Sequence, residues 1–310
     1  MHHQTVLSKL SHPCFSNKGI EVWMKRDDLN HPTIQGNKWH KLKLNLQQAQ
    51  LENKTTLVTF GGAYSNHIAA VAAAGKDLGF ETHGYIRGEE LRDSPNTWSH
   101  TLIEAVDNGM QLHFISRSDY RLKQSFEFLS TLNRLHPNAY ILPEGGTNEY
   151  AILGFKEVCE DLENQCPDWT HLYTAVGTGG TLAGFIANAR YQPKRQLLGV
   201  STLKDSDYLI EDISNWVTKA SNHQTNSWRL LQNYHGNGYA KSSQEMEDTQ
   251  VWFEESFGIP LDPVYTQKLV FAFLTELENN HIPSGSKIIL YHSGGLQGRK
   301  KQDIAQSTIL

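Results

Sequence analysis

Short apolar runs alternate with longer stretches of helical periodicity along almost the whole chain. The runs are Leu57 to Phe60, Thr82 to Ile86, Leu112 to Ile115, Tyr140 to Leu142, Leu172 to Val176, Leu197 to Val200 and Lys287 to Tyr291. Between them lie Ile68 to Leu78, Ser99 to Val106, Leu122 to Leu135, Ile152 to Leu162 and Val264 to Leu277. Runs this short and continuous suit buried strands, and their alternation with helices predicts parallel sheets covered on both faces. No repeat, low-complexity tract or Pro-rich linker separates domains, so the expected architecture interleaves them in sequence.

Glycine clusters stand where the predicted strands end: Gly61-Gly62, Gly145-Gly146, Gly177 to Gly180 and Gly294-Gly295. Open parallel sheets bind ligands outside the carboxyl ends of their strands. One such turn alone reads as an ordinary tight connection. Four with polar neighbours predict a site where backbone approaches a ligand from several sides.

Composition narrows the picture by exclusion. A chain of 310 residues has room for two domains, and 38% apolar with 20% charged residues is ordinary for a globular protein. The net charge of -5 is spread along the chain and predicts no nucleic-acid partner. Cys14, Cys159 and Cys166 are too few for a disulfide framework and lack metal-site spacing. The 15 histidines show no His-Glu-x-x-His pattern, so they read as surface or packed residues and no metal site is expected. The start, Met1 to Leu7, has no signal-peptide pattern, and no run is long and apolar enough for a membrane span. The expectation is a cytoplasmic protein without a membrane partner.

Two segments carry candidate chemistry. Gln35-Gly36-Asn37-Lys38-Trp39-His40-Lys41-Leu42 puts Lys38 just past a glycine turn, at the head of an apolar-periodic stretch. Gly177-Thr178-Gly179-Gly180-Thr181 joins a strand-like run to a helix-like one, where backbone N–H groups and the helix dipole can hold a phosphate. The loop lacks the Gly-Lys-Ser/Thr ending of a nucleotide P-loop, which argues against ATP. An amine able to condense with an aldehyde, plus a phosphate cup, is the minimal description of a pyridoxal phosphate (PLP) site.

Further motifs join these two. They are Met24-Lys25-Arg26-Asp27-Asp28, Gly61-Gly62-Ala63-Tyr64-Ser65-Asn66-His67, Pro143-Glu144-Gly145-Gly146-Thr147-Asn148, Gly238-Tyr239, Leu261-Asp262-Pro263-Val264-Tyr265 and His292-Ser293-Gly294-Gly295. In type and order the set resembles the fold type II (tryptophan synthase β-like) PLP enzymes, within them the family of 1-aminocyclopropane-1-carboxylate (ACC) deaminase and D-cysteine desulfhydrase. The resemblance implies an α/β fold of two interleaved three-layer αβα domains with parallel sheets and PLP in the interdomain cleft. It implies a large PLP-binding domain of residues 1–40 plus 146–310, a small domain of 41–145, and a homodimer.

The same resemblance assigns roles. Lys38 holds PLP and later moves a proton at Cα, which requires an amine that can be neutral; taken alone it would read as a solvated helix-start residue. Gly177, Thr178, Gly179, Gly180 and Thr181 receive the phosphate. Ser65 and His67 face the substrate, and Asn66 contacts both substrate and the cofactor's 3′-oxygen; the plain alternative for Ser65 is a helix cap. Tyr64 stands in the substrate pocket where relatives usually carry glutamine. Tyr265 and Tyr239 match two pocket tyrosines, though either could be packing. Thr266 and Ser293 occupy positions that ACC deaminases fill with glutamate and leucine and desulfhydrases fill with small hydroxyl residues.

A carboxylate near the pyridine nitrogen makes the ring a stronger electron sink than a neutral hydroxyl does. Opening a cyclopropane needs that help more than expelling a thiolate does. The expectation is therefore a PLP-dependent lyase or deaminase of a small amino acid, D-cysteine first, giving pyruvate, ammonia and sulfide. ACC deamination to 2-oxobutanoate is the alternative, and a non-catalytic PLP-binding protein is the rival from another class. Whether Lys38 or a tyrosine removes the Cα proton stays open in sequence, as does the substrate's stereochemistry. Trp39-His40, Glu144 and Tyr150-Ala151-Ile152 depart from the family pattern and bear on substrate rather than cofactor.

Overall fold

The computed structural model describes residues 4–296 and Arg299. Its strands are β1 (Leu7–Leu10), β2 (Glu21–Lys25), β3 (Thr56–Gly61), β4 (Glu81–Arg87), β5 (Gln111–Ile115), β6 (Ala139–Ile141), β7 (His171–Val176), β8 (Gln196–Ser201), β9 (Ser227–Leu231) and β10 (Lys287–Tyr291). They form two sheets, one ordered β1-β2-β10-β7-β8-β9 and the other β5-β4-β3-β6. Every pairing is parallel except β1 with β2, which gives the first sheet an antiparallel edge. All seven apolar runs singled out in the sequence are strands. The segments β1, β2 and β9 were not among them, because charged or polar residues interrupt or bound their short apolar stretches.

The runs of β3, β4, β7, β8 and β10 lie inside the two sheets, whereas those of β5 and β6 form the edges of the four-stranded one. In β3 and β7 every residue is buried, as expected for strands covered on both faces by helices. Two apolar clusters flank the first sheet: Val22, Leu290 and Phe273 belong to one, Leu172, Phe185 and Tyr291 to the other. The second sheet packs Leu57 and Ile86 against Leu42, Leu46 and Val71.

Two helix expectations change in detail. The stretch from Ile152 to Leu162 is two helices, Glu149–Leu153 and Lys156–Gln165, broken at Gly154 and Phe155. Gly154 lies so close to the helix Asn37–Leu51 that a Cβ there would stand 2.0 Å from the His40 carbonyl oxygen. The stretch from Leu122 to Leu135 starts as a helix only at Phe126, with Ser125 capping it through its hydroxyl. No described helix is long and apolar enough to cross a membrane.

Candidate active site

A cavity of about 670 Å³ opens where segments leaving the strands of both sheets converge. Gly62 and Ser65 follow β3, Arg87 ends β4, Pro143 and Glu144 follow β6, Gly177 to Gly179 follow β7, and Ser293 and Gly295 follow β10. This is the placement that parallel sheets dictate for a ligand.

Lys38 stands in the first turn of the helix Asn37–Leu51, and the entry into that helix is unusually tight. Gly36 has φ +67°, and a Cβ there would lie 1.8 Å from the Ser293 carbonyl oxygen, so only glycine fits. Lys38 is half-buried, and its Nζ donates to Asn37 Oδ1 at 3.1 Å. Burial lowers its amine to about 8, with the Asp262 carboxylate opposing. The same helix is anchored from behind: His40 Nε2 lies 2.7 Å from Asp27 Oδ2, and Asp27 also accepts from Thr5. His40 and Trp39, which stacks on His31 at 4.7 Å, both point away from the cavity. That pair of departures from the family pattern therefore does not shape the pocket.

At one end of the cavity the glycine loop turns into the helix Gly180–Asn188. Gly179 adopts the left-handed φ of +80°, which exposes successive backbone N–H groups at the helix start. Gly177, Thr178, Gly179 and Thr181 line the cavity, and Gly180 lies just behind them. Asn37 Nδ2 donates to Thr181 Oγ1 at 2.7 Å, tying the lysine helix to the cup. Thr178 Oγ1 and Thr147 Oγ1 are 2.9 Å apart.

Lys41 completes this end, and the sequence reading passed over it. One helical turn beyond Lys38 it shares the same face, and its buried Nζ donates to Gly145 O at 3.0 Å and to Thr147 Oγ1 at 3.2 Å. Among the described residues it forms no ion pair. Burial, then the neighbouring Lys38, drives its amine well below the ordinary lysine range. A buried cation without a counter-ion, pressed against a helix N-terminus, is costly unless an anion joins it. A phosphate group would match this position in charge, and Lys38 would supply the amine an aldehyde requires.

At the other end Ser65 is the N-cap residue of the helix Asn66–Leu78, but its hydroxyl makes no capping bond, so the plain capping expectation fails. The hydroxyl and the helix's free N–H groups are thereby left for an anion. Asn66 and His67 line the cavity beside it. His67 Nε2 sits 2.8 Å from Thr59 Oγ1. Burial, and next the charges of Lys38 and Lys41, hold its imidazole well below the ordinary histidine value, so it is neutral.

Tyr265 and Tyr239 also line the cavity, with their hydroxyls 3.2 Å apart. Tyr239 donates its proton to the Tyr64 carbonyl at 3.1 Å, so Tyr265 donates to Tyr239. Burial raises Tyr239, and burial together with Tyr239 raises Tyr265 well above the ordinary phenol range. The loop carrying Tyr239 is tethered by Lys268, whose Nζ donates to Gly238 O at 2.8 Å.

Two expected residues sit elsewhere. Tyr64 turns its ring to solvent, 58% exposed, and contributes only its carbonyl. Thr266 does not reach the cavity. Its hydroxyl donates to Asp262 Oδ1 at 2.8 Å and accepts from Asp262 N at 2.7 Å, while Ser293 lines the wall in front. Arg87 and Glu144 line the mouth and were not assigned from sequence; Glu144 accepts from Tyr120 OH at 2.6 Å and pairs with Lys123 at 3.1 Å.

Residues 5–294 match the family model described as pyridoxal-phosphate dependent enzyme. The chain belongs to that family. Among related PLP-dependent enzymes, it is 29% identical to the bifunctional D-cysteine desulfhydrase/1-aminocyclopropane-1-carboxylate deaminase, mitochondrial, of Arabidopsis thaliana, over 96% of this chain and 77% of that protein. It is 25% identical to D-cysteine desulfhydrase of Klebsiella pneumoniae, over 89% of this chain and 87% of that one. The fold matches a crystal structure of an ACC deaminase homologue with a TM-score of 0.81 at 24% identity, covering 99% of this chain and 94% of the other. PLP is thus the cofactor of this chain's family, and the two-domain α/β architecture with parallel sheets is that of its PLP-dependent structural neighbours.

Proposed function

We propose that this PLP-dependent enzyme is a lyase that eliminates the β-substituent of a small amino acid, D-cysteine first, giving pyruvate, ammonia and sulfide. One observation carries the site: two lysines one turn apart on a single helix, Lys41 lodged without a counter-ion at the glycine-threonine cup and Lys38 with its amine lowered to about 8. In this reading Lys41, Thr178 and the N–H groups of Gly177 to Thr181 hold the phosphate, Lys38 bonds the aldehyde, and Asn66 and Ser293 face the ring. Bound there, PLP supplies a sink for the electrons released at the substrate's Cα.

The remaining work falls to the chain's own groups. The substrate carboxylate docks on Ser65 and Asn66 and the N–H groups of their helix start, beside His67, which is neutral and directs Nε2 at Thr59. Tyr265 and Tyr239, raised by burial, stay protonated at neutral pH and are proton donors rather than bases. Lys38 Nζ is then the group that takes the Cα proton, and Tyr265 delivers one toward the departing substituent. The carbon–sulfur bond breaks by elimination, and water then displaces ammonia from the released three-carbon enamine, as its imine tautomer, to leave pyruvate.

The preference for D-cysteine rests on Ser293, which lines the cavity, on the lack of a glutamate at 266, and on relatives named for desulfhydration. ACC deamination is the second reading, and Asp262 favours it: its carboxylate stands one hydrogen bond behind Thr266 and puts negative charge near the ring end of the cavity. Offering D-cysteine, L-cysteine, D-serine and ACC in parallel separates them. Pyruvate and sulfide from D-cysteine, abolished in Lys38→Ala, is the expected result. 2-Oxobutanoate from ACC alone would overturn the substrate assignment, and undiminished turnover by Lys38→Ala would overturn the site.

The proposed domains are 1–40 plus 146–310 and 41–145, supported by sheet membership: β3 to β6 form one sheet, while β1, β2 and β7 to β10 form the other. The first boundary falls inside the helix Asn37–Leu51, which would make Lys38 a residue of the junction. A homodimer in the cytoplasm completes the reading; the three free thiols suit a reducing compartment. Light scattering and cell fractionation test these two points.

A further inference from the structure

Away from the cavity, one face of the four-stranded sheet gathers three histidines that no linear motif connects. In the parallel register His83 pairs with Gln111 and Tyr85 with His113, so all four side chains project from the same face. The helix Phe126–Leu135 covers that face, packing Phe128 against Phe60 and Tyr85. Where the helix stops, the chain sets His136 at its C-cap, 4.2 Å from the His83 ring between centroids.

The nitrogens converge. His83 Nδ1 and His113 Nε2 are 2.9 Å apart, and one ligand atom from each of the three histidines lies within 4.8 Å of the others. Glu81 Oε1 lies 3.2 Å from His83 Nε2 and also accepts from Gln111 Nε2 at 2.9 Å. A carboxylate on one ring nitrogen fixes the tautomer and aims the other nitrogen outward, as the outer partners of metal-bound histidines do. His83 Nδ1 is then left unprotonated, facing His113.

We propose that His83, His113 and His136 bind a divalent transition-metal ion of the kind that prefers imidazole, with Zn²⁺ as the test species and Glu81 orienting His83. With metal–nitrogen bonds of about 2.0–2.1 Å, two nitrogens 2.9 Å apart subtend about 90° at an ion, and tetrahedral binding needs them only a few tenths of an ångström wider. The third nitrogen closes by rotation of a side chain; His136, half-buried and just past a helix end, is free to make it once it releases Tyr85 OH, now 3.0 Å from its Nε2. His113 and His136 are both partly exposed, which gives the ion an entry path and a position for water. The ion would pin the end of the helix Phe126–Leu135 to β4 and β5. This reverses the expectation of no metal site, which rested on spacing along the chain and not on strand register. The competing description is a packed, hydrogen-bonded ring cluster with no ion.

The test uses the PLP-loaded enzyme, equilibrated with ZnCl₂ and analysed for bound metal and melting temperature. The two partly exposed ligands are replaced singly, as His113→Gln and His136→Gln, with circular dichroism confirming that each folds. One zinc per chain is expected, with affinity at least tenfold weaker in each variant. At zinc about 100-fold above the parent's Kd the melting temperature should rise by about 4 °C in the parent and by no more than about half of that in the variants. Zinc bound equally by parent and variants, no zinc bound by the parent, or loss in only one of the two variants would each overturn the three-histidine site.

Discussion

The two ends of the cavity are built by different means. The cup end is mostly backbone: a glycine loop leaving β7, a helix start, and one lysine laid across it. The opposite end, proposed to take the substrate, is made of side chains delivered by unrelated segments, with Ser65 and His67 after β3, Tyr239 on a loop tethered by Lys268, and Tyr265 before the helix Thr266–Glu278. Backbone-built recognition needs glycine at fixed places, whereas side-chain recognition can be altered one residue at a time. That difference explains how one cofactor cradle can serve several reactions.

If the ends are separable, substitutions at each should leave separate signatures. The largest effect is expected at the substrate end: Tyr265→Phe removes the proton donor and should lower kcat about 100-fold while PLP affinity and the absorbance of the bound cofactor stay unchanged. Steady-state kinetics beside a PLP titration read both, and a parallel loss of PLP would break the comparison. Next, Lys41→Met removes a charge-assisted bond to the phosphate and should weaken PLP binding about 10- to 100-fold, with kcat at saturating PLP changed far less. Equilibrium dialysis against PLP measures it.

The smallest expected effect concerns pH. Because burial lowers Lys38 to about 8, its neutral form grows as pH rises through that value. The rate at which cofactor-free protein takes up PLP should rise about fivefold from pH 7 to pH 8 and level off above about pH 9. An ordinary surface lysine would keep gaining about tenfold per pH unit up to about 10. Stopped-flow absorbance distinguishes the two curves.

The same contrast sets what could be read from the chain alone. Strands β3, β4, β7, β8 and β10 were visible because they are mostly buried and carry apolar runs, and β5 and β6 because short apolar runs mark them although they are largely half-buried edges. β9 was not, since Ser227 and Arg229 break up its apolar residues. The glycine loop was legible because positive φ and close approach leave few substitutes. Lys41 was hidden, because a lysine near a helix start looks solvated until the partner segment at Gly145 and Thr147 is seen folding over it. Thr266 was placed at the ring from its motif, yet its hydroxyl is committed to Asp262 four residues earlier. Tyr64 and His40 carry the same lesson: a residue next to a motif can point either way, and only packing decides.

The central claim is that Lys38 carries the cofactor while Lys41, one turn away, holds its phosphate. Reducing the PLP-loaded enzyme with borohydride fixes the bond permanently, and peptide mass spectrometry then locates the pyridoxyl group. The account predicts a single label on Lys38. A label on Lys41 or on any other lysine, or an unlabelled Lys38 in protein that retains PLP, would contradict it.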